Sequence, residues 1–277
     1  MDTKYPLAIP VKAGMDVIKK FRLRSETSLR DNIKNYQNFS EVLFSAHAPI
    51  DVGGQRLNVA ATDETFRNNS IHRINQYIDD CSKFPNVSQL NLHFGYKFYE
   101  GQEGRYDYHI DSIRNIAQHA SSYGIEVVLE NLNSYWEANG ISDDTDWSEV
   151  DWEGKIEAFG MDPNEWIQMC LDVNMSNVSL SLDSSHVCTY AHRFAEEDRD
   201  IKINQFLSRP ELIKHVHWSD NYLYDLRGRS DSHLSVGKGT LPVGFHQEIK
   251  RLDATILLEH FYSVEELKEE LIFIESL

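Results

Sequence analysis

The sequence predicts a single-domain (β/α)8 barrel over residues 1–277, and three observations predict it. The chain is 277 residues long, close to the usual size of one such barrel. Short β-rich apolar runs alternate with amphipathic stretches, as repeated β–α units require. Histidines and carboxylates close one apolar run after another, which is where a barrel brings its strand ends together.

The expected strands are Leu7–Val11, Glu41–Ala46, Gln89–His93, Glu126–Glu130, Val178–Asp183, Ile213–Trp218 and Thr255–Glu259. Several are nearly continuous apolar runs (VVLE, LSLD, TILLE), the pattern of strands buried on both faces of a parallel sheet. Helical stretches are expected at Ser70–Cys81, Tyr108–Tyr123, Asn164–Leu171 and Val264–Ile274. The last carries its apolar stripe at Val264, Leu267, Leu271 and Ile274. An eighth strand is expected between Trp218 and Ala254, around Ser232–Val236. An open doubly wound sheet is the competing fold, but no Gly-rich dinucleotide fingerprint follows the first strand.

The long connection from Asn131 to Met161, after the fourth expected strand, carries Trp136, Trp147 and Trp152 among Asp143, Asp144, Asp146, Glu149, Asp151 and Glu153. It belongs on the catalytic face, as a lid or partner surface or as a solvated excursion pinned by its aromatic residues.

A net charge of −17 argues against a protein that lives on phosphate contacts with nucleic acid. No apolar run is long enough to span a membrane, and the N-terminus lacks the features of a secretory signal. Three scattered cysteines form no disulfide framework. A cytoplasmic protein is expected, with no membrane association and with a homo-oligomer left open.

The strand-end residues carry the chemistry. His47 ends VLFSAH, His93 ends LNLH, Glu130 ends VVLE, and Asp183 ends LSLD with His186 three residues on. His217 lies in HVHWSD, Asp231 and His233 in DSHLSVGKG, and Glu259 ends ILLE. Only one of His215 and His217 is expected to face the barrel axis. Singly, such a histidine is ordinarily a hydrogen-bonded structural residue, and such a carboxylate a helix N-cap. Nine metal-type side chains at the same end of successive strands are a different matter. Carboxylates and imidazoles without thiolates suit Zn²⁺ or Mn²⁺, with Co²⁺ and Fe²⁺ next. The histidines at 72, 109, 119, 192, 246 and 260 lie mainly in helix-like segments and receive no role.

The series SAHAPID, LNLHFG, VVLENLN, LDSSHV, HVHWSDN, DSHLSVGKGTL and LLEH resembles the xylose isomerase-like TIM barrel superfamily, the AP endonuclease family 2 and sugar phosphate isomerase/epimerase group. In its sugar isomerases and epimerases, the resemblance implies one divalent metal held by Glu130, Asp183, His217 and Glu259, with His186 facing substrate. In its endonuclease IV branch it implies a trinuclear site built from all nine positions, and this chain has every one.

The first reading is therefore a metal-dependent isomerase or epimerase of a small sugar or sugar phosphate. Glu130 and Glu259 would move a proton through an enediolate, with one to three metal ions per chain. Arg227 and Arg229, or the basic stretch Lys19, Lys20, Arg22 and Arg24, would meet a phosphate, although solvated surface is the weightier explanation of those charges. The alternative is a multinuclear phosphoester hydrolase acting on abasic DNA or a small phosphodiester, with nucleic acid disfavoured by charge. A non-catalytic binding barrel ranks last.

Overall fold

A computed structural model describes residues 4–277. Eight parallel strands close into one barrel in sequential order. They are β1 Ala8–Pro10, β2 Arg24–Glu26, β3 Leu43–His47, β4 Gln89–His93, β5 Glu126–Glu130, β6 Val178–Asp183, β7 Ile213–His217 and β8 Thr255–Leu257. Closure is made by β1 against β8, with Ala8 opposite Leu257.

Helices α1 Met15–Phe21, α2 Glu64–Cys81, α3 Tyr106–Ser121, α4 Pro163–Val173, α5 Ser184–Ala191, α6 Arg199–Gln205, α7 Val243–Arg251 and α8 Val264–Ser276 complete the outer ring. Their starts are chemically marked. Asp63 caps α2, Asp162 caps α4 ahead of Pro163, and Ser263 caps α8, each accepting from backbone N–H groups otherwise left unpaired. Trp166 of α4 is fully buried and donates its indole N–H to Leu129 O, fixing that helix on β5.

The eighth strand is not the one expected. Ser232–Val236 contributes only an isolated antiparallel bridge, Leu234 to Asp220. The missing strand is β2, with register Ala8↔Arg24 and Pro10↔Glu26 on one side and Ser25↔Leu43 on the other. Three residues reading Arg-Ser-Glu carry no apolar signature. Only the neighbouring strands, which supply partners for both edges, make this segment β. The long connection therefore follows the fifth strand, not the fourth.

That connection is anchored at several points. Trp136 is buried, donates to Thr189 O at 2.9 Å and meets Trp152 edge-on. Glu157–Ala158 pairs antiparallel with Tyr96–Phe98. Its acidic stretch faces solvent. Trp136 pins the excursion to the barrel, whereas Trp147 is exposed. Among the described residues, no helix is long and apolar enough to cross a membrane.

Candidate metal centre

The nine strand-end residues converge at the C-terminal mouth of the barrel. Three groups of donor atoms, each within 4.8 Å of one another, contain eight of them: His47/His93/Glu130, Glu130/Asp183/His217/Glu259 and Asp183/His186/His233. Asp231 joins the last through contacts of 3.2 Å to His186 Nε2 and 3.3 Å to His233 Nε2.

Each residue reaches the mouth for a local reason. Asp183 ends β6 and caps α5, its Oδ1 accepting from the N–H groups of Ser185 and His186. Its Oδ2 is then free to face His233 at 3.3 Å and His217 at 3.9 Å. The capping oxygen and the oxygen available to a cation are thus different atoms of one carboxylate. His233 adopts φ +42° and Tyr135 φ +51°, a left-handed backbone that side chains other than glycine rarely take, and both line the cleft.

The imidazoles are set by what their outer nitrogens do. His47 donates from Nδ1 to Ala48 O at 2.8 Å, and His186 donates from Nδ1 to Asn131 O at 2.7 Å. His217 donates from Nε2 to Glu26 Oε1 at 3.0 Å. In each ring the other nitrogen points into the site, where it would offer a lone pair to a metal once any proton on it is displaced, the arrangement that orients metal-bound histidine.

Those inward atoms fit a cation. Among the described residues, His47 Nε2, His217 Nδ1 and Glu259 Oε2 are buried without a hydrogen-bond partner. Yet His217 Nδ1 lies 3.2 Å from Glu130 Oε1 and 2.9 Å from Glu259 Oε2. Donors about 2.0–2.1 Å from a tetrahedral zinc stand roughly 3.3 Å apart, so the spacing suits shared coordination better than mutual hydrogen bonding.

Burial alone would raise the Glu130 carboxyl, but the imidazoles of His217 and His93 hold it well below the ordinary carboxylate range. Burial would likewise raise Glu259, which His217 and His233 pull down to about 2. Burial dominates at Asp183 and raises it. Against burial, surrounding carboxylates push His217 and His186 up. Protons on these rings neutralise the cluster where a cation would otherwise do so, and a metal would displace them.

Two residues of the site escaped sequence reasoning. Glu26, at the end of the unforeseen β2, is buried and takes both His215 Nε2 and His217 Nε2 at 3.0 Å. His215 and His217 therefore both face inward, contrary to expectation, because side chains two apart on a strand share a face. Arg56, from the Asp51–Arg56 hairpin after β3, lines the cleft. Its only advance signal is a lone cation in a Gly-rich turn.

The other cations lie elsewhere. Arg229 is buried and holds the long connection, donating to Ser142 O and Thr145 O beneath Trp136. Arg227 is exposed and paired with Asp225 at 3.0 Å. Arg24 opens β2 at the opposite end of the barrel, over the Phe44 ring, and Lys19, Lys20 and Arg22 lie on or just after α1. None of them lines the cleft with the candidate ligands.

A family model described as "Xylose isomerase-like TIM barrel" matches residues 11–277. The chain belongs to that family. An uncharacterized protein of Methanocaldococcus jannaschii is 24% identical over 206 residues, 73% of this chain and 57% of that protein. The matched stretch thus spans little more than half of that relative. Several proteins of known structure share the whole fold. A D-tagatose 3-epimerase-like protein superposes with TM-score 0.67 at 19% identity, covering 98% of this chain and 99% of the other. The 3-keto-D-glucoside 4-epimerase of E. coli gives 0.64 at 13% identity, covering 99% and 100%. The IOLI protein with a bound zinc atom gives 0.64 at 15% identity, covering 98% and 96%.

Proposed function

We propose that the protein is a divalent-metal-dependent isomerase or epimerase of a small sugar or sugar phosphate. The observation that carries this reading is the placement of Glu130 and Glu259. They come from barrel strands separated by two others, yet both line one cleft of about 480 Å³ and both approach His217 Nδ1. Sugar epimerases among the structures with this fold add support.

Glu130, Asp183, His217 and Glu259 would hold the cation, with zinc or manganese suited to this donor set. When bound, a divalent metal supplies Lewis-acid polarisation of a ketose carbonyl, which acidifies the neighbouring C–H. The chain's own residues do the rest. One glutamate takes the proton from one face of the sugar, leaving an enediolate. The other returns a proton to the opposite face, and the configuration inverts. His186 Nε2, fixed by the Asn131 carbonyl behind its ring, is placed to bond a substrate hydroxyl. Leu29, Ile50 and Leu132 form the apolar part of the cleft wall.

A second reading is favoured by the two further donor groups, His47/His93/Glu130 and Asp183/His186/His233. Two or three metals held there would suit hydrolysis of a small phosphoester. Metal stoichiometry and solvent isotope exchange separate the two. About one Zn or Mn per chain, with deuterium from D2O entering a ketose beside its carbonyl, is expected. Two or three metals per chain with phosphodiester cleavage and no exchange would replace the first reading by the second.

A further inference from the structure

Arg56 is the only lysine or arginine among the residues lining the cleft. Its backbone is placed by the short hairpin in which Asp51 pairs with Arg56, but the Asp51 carboxylate turns away to Arg30 at 3.3 Å. Across the cleft, Asp231 is engaged by His186 and His233, and Glu259 by His217. The Arg56 surroundings are phenolic: Tyr96, Tyr99 and Tyr135 lie around it, and the hydroxyls of Tyr96 and Tyr135 stand 3.4 Å apart. Tyrosines supply oxygen acceptors without negative charge, so a half-buried cation faces the cleft with no carboxylate partner among the described residues. Isolated buried charge is unfavourable unless something compensates it.

We infer that Arg56, with the hydroxyl of Tyr135, forms an oxyanion subsite at the mouth of the cleft, so that the substrate is a sugar carrying a phosphate or carboxylate. This rests on the sugar isomerase or epimerase reading and narrows it. A guanidinium presents two parallel N–H donors that match either oxyanion, a geometry lysine lacks. Tyr135 is held at φ +51° beside it, a strained backbone that fixes the ring at the cleft wall. The subsite shares its cleft with Glu130 and Glu259, so an anchored oxyanion and the reacting carbon belong to one small molecule. None of the cations proposed from sequence for phosphate binding lines this cleft, which leaves the position to Arg56.

The test uses the metal-loaded protein and three matched probes, D-fructose, D-fructose 6-phosphate and D-fructuronate, with binding read by calorimetry. The wild type is expected to prefer one oxyanion-bearing ketose to fructose, and which one it prefers identifies the oxyanion. Arg56→Met should reduce that preference roughly ten- to hundredfold at an unchanged metal-to-protein ratio, and Arg56→Lys should restore part of it. A wild type that binds neither charged probe better than fructose overturns the subsite. So does a preference that survives Arg56→Met. Deuterium exchange on the same ketoses is read separately. Arg56-dependent preference without exchange supports the subsite and counts only against the isomerase chemistry.

Discussion

At the N-terminal end of the barrel interior, Gln89, Glu126, Ser179 and Thr255 satisfy one another. Gln89 donates to Glu126 at 3.0 Å, Ser179 donates to Glu126 at 2.6 Å, and Thr255 donates to Gln89 at 2.7 Å. At the C-terminal end, the polar side chains are just as close, yet His47 Nε2, His217 Nδ1 and Glu259 Oε2 have no hydrogen-bond partner among the described residues. Both clusters sit in the same fold on the same strands. A closed hydrogen-bond circuit has no further valence to offer and serves stability. A set of lone pairs aimed at a common point is costly until a cation arrives, which marks the upper cluster as the place for chemistry.

The contrast can be broken most sharply at the carboxylates of the upper cluster. Glu259→Gln is expected to lower turnover of the ketose by roughly 10²–10⁴-fold while circular dichroism shows an intact fold, because it removes a proton-transfer group. Deuterium exchange at the wild-type rate in this variant would remove Glu259 from the reaction. Glu26→Gln is a subtler change, since it leaves the inward-facing donors in place and alters the buried acceptor that His217 shares with His215 and Ser45. Metal affinity should fall about 10–100-fold, measured by competition with a chromophoric chelator.

Acid stability offers a third test, away from the metal ligands. Burial pushes the His109 imidazole down to about 3, and its Nε2 accepts from Gly95 N–H at 3.1 Å. The folded protein therefore binds this proton less readily than the unfolded chain. The stabilisation is present above the unfolded value near 6.5 and is lost as pH falls from there toward 3. At pH 5 the loss amounts to about 2 kcal/mol. His109→Gln keeps an acceptor but no titration, so its urea midpoint should fall less steeply between pH 7 and 5 than the wild type's. The smallest effect is expected from the lower cluster. Glu126→Gln should cost about 1 kcal/mol of stability in urea unfolding and leave the metal-to-protein ratio unchanged. A change in that ratio would dissolve the distinction between the two ends.

Much of this was legible in the chain itself. The barrel follows from apolar strands of period fit for a two-faced sheet, and the nine mouth residues from their place at strand ends. VVLE and LSLD announce both at once, since the same tetrapeptides supply core side chains and a terminal carboxylate. Glu26 was illegible because Arg-Ser-Glu has no strand signature, and its neighbours alone make it one. Arg56 was illegible because nothing local distinguishes a turn cation that faces a cleft from one that faces water.

The sequence by itself determined the fold class, the donor types and the end of the barrel where they gather, because hydrophobic period and strand termini are local properties of the chain. Tertiary structure alone decided which oxygens and nitrogens are left unpaired, that His215 and His217 share one buried glutamate, and that Arg56 turns inward while Arg229 is consumed by the long connection. Those outcomes depend on distances between strands and loops far apart in the chain, and closing the barrel is what sets such distances.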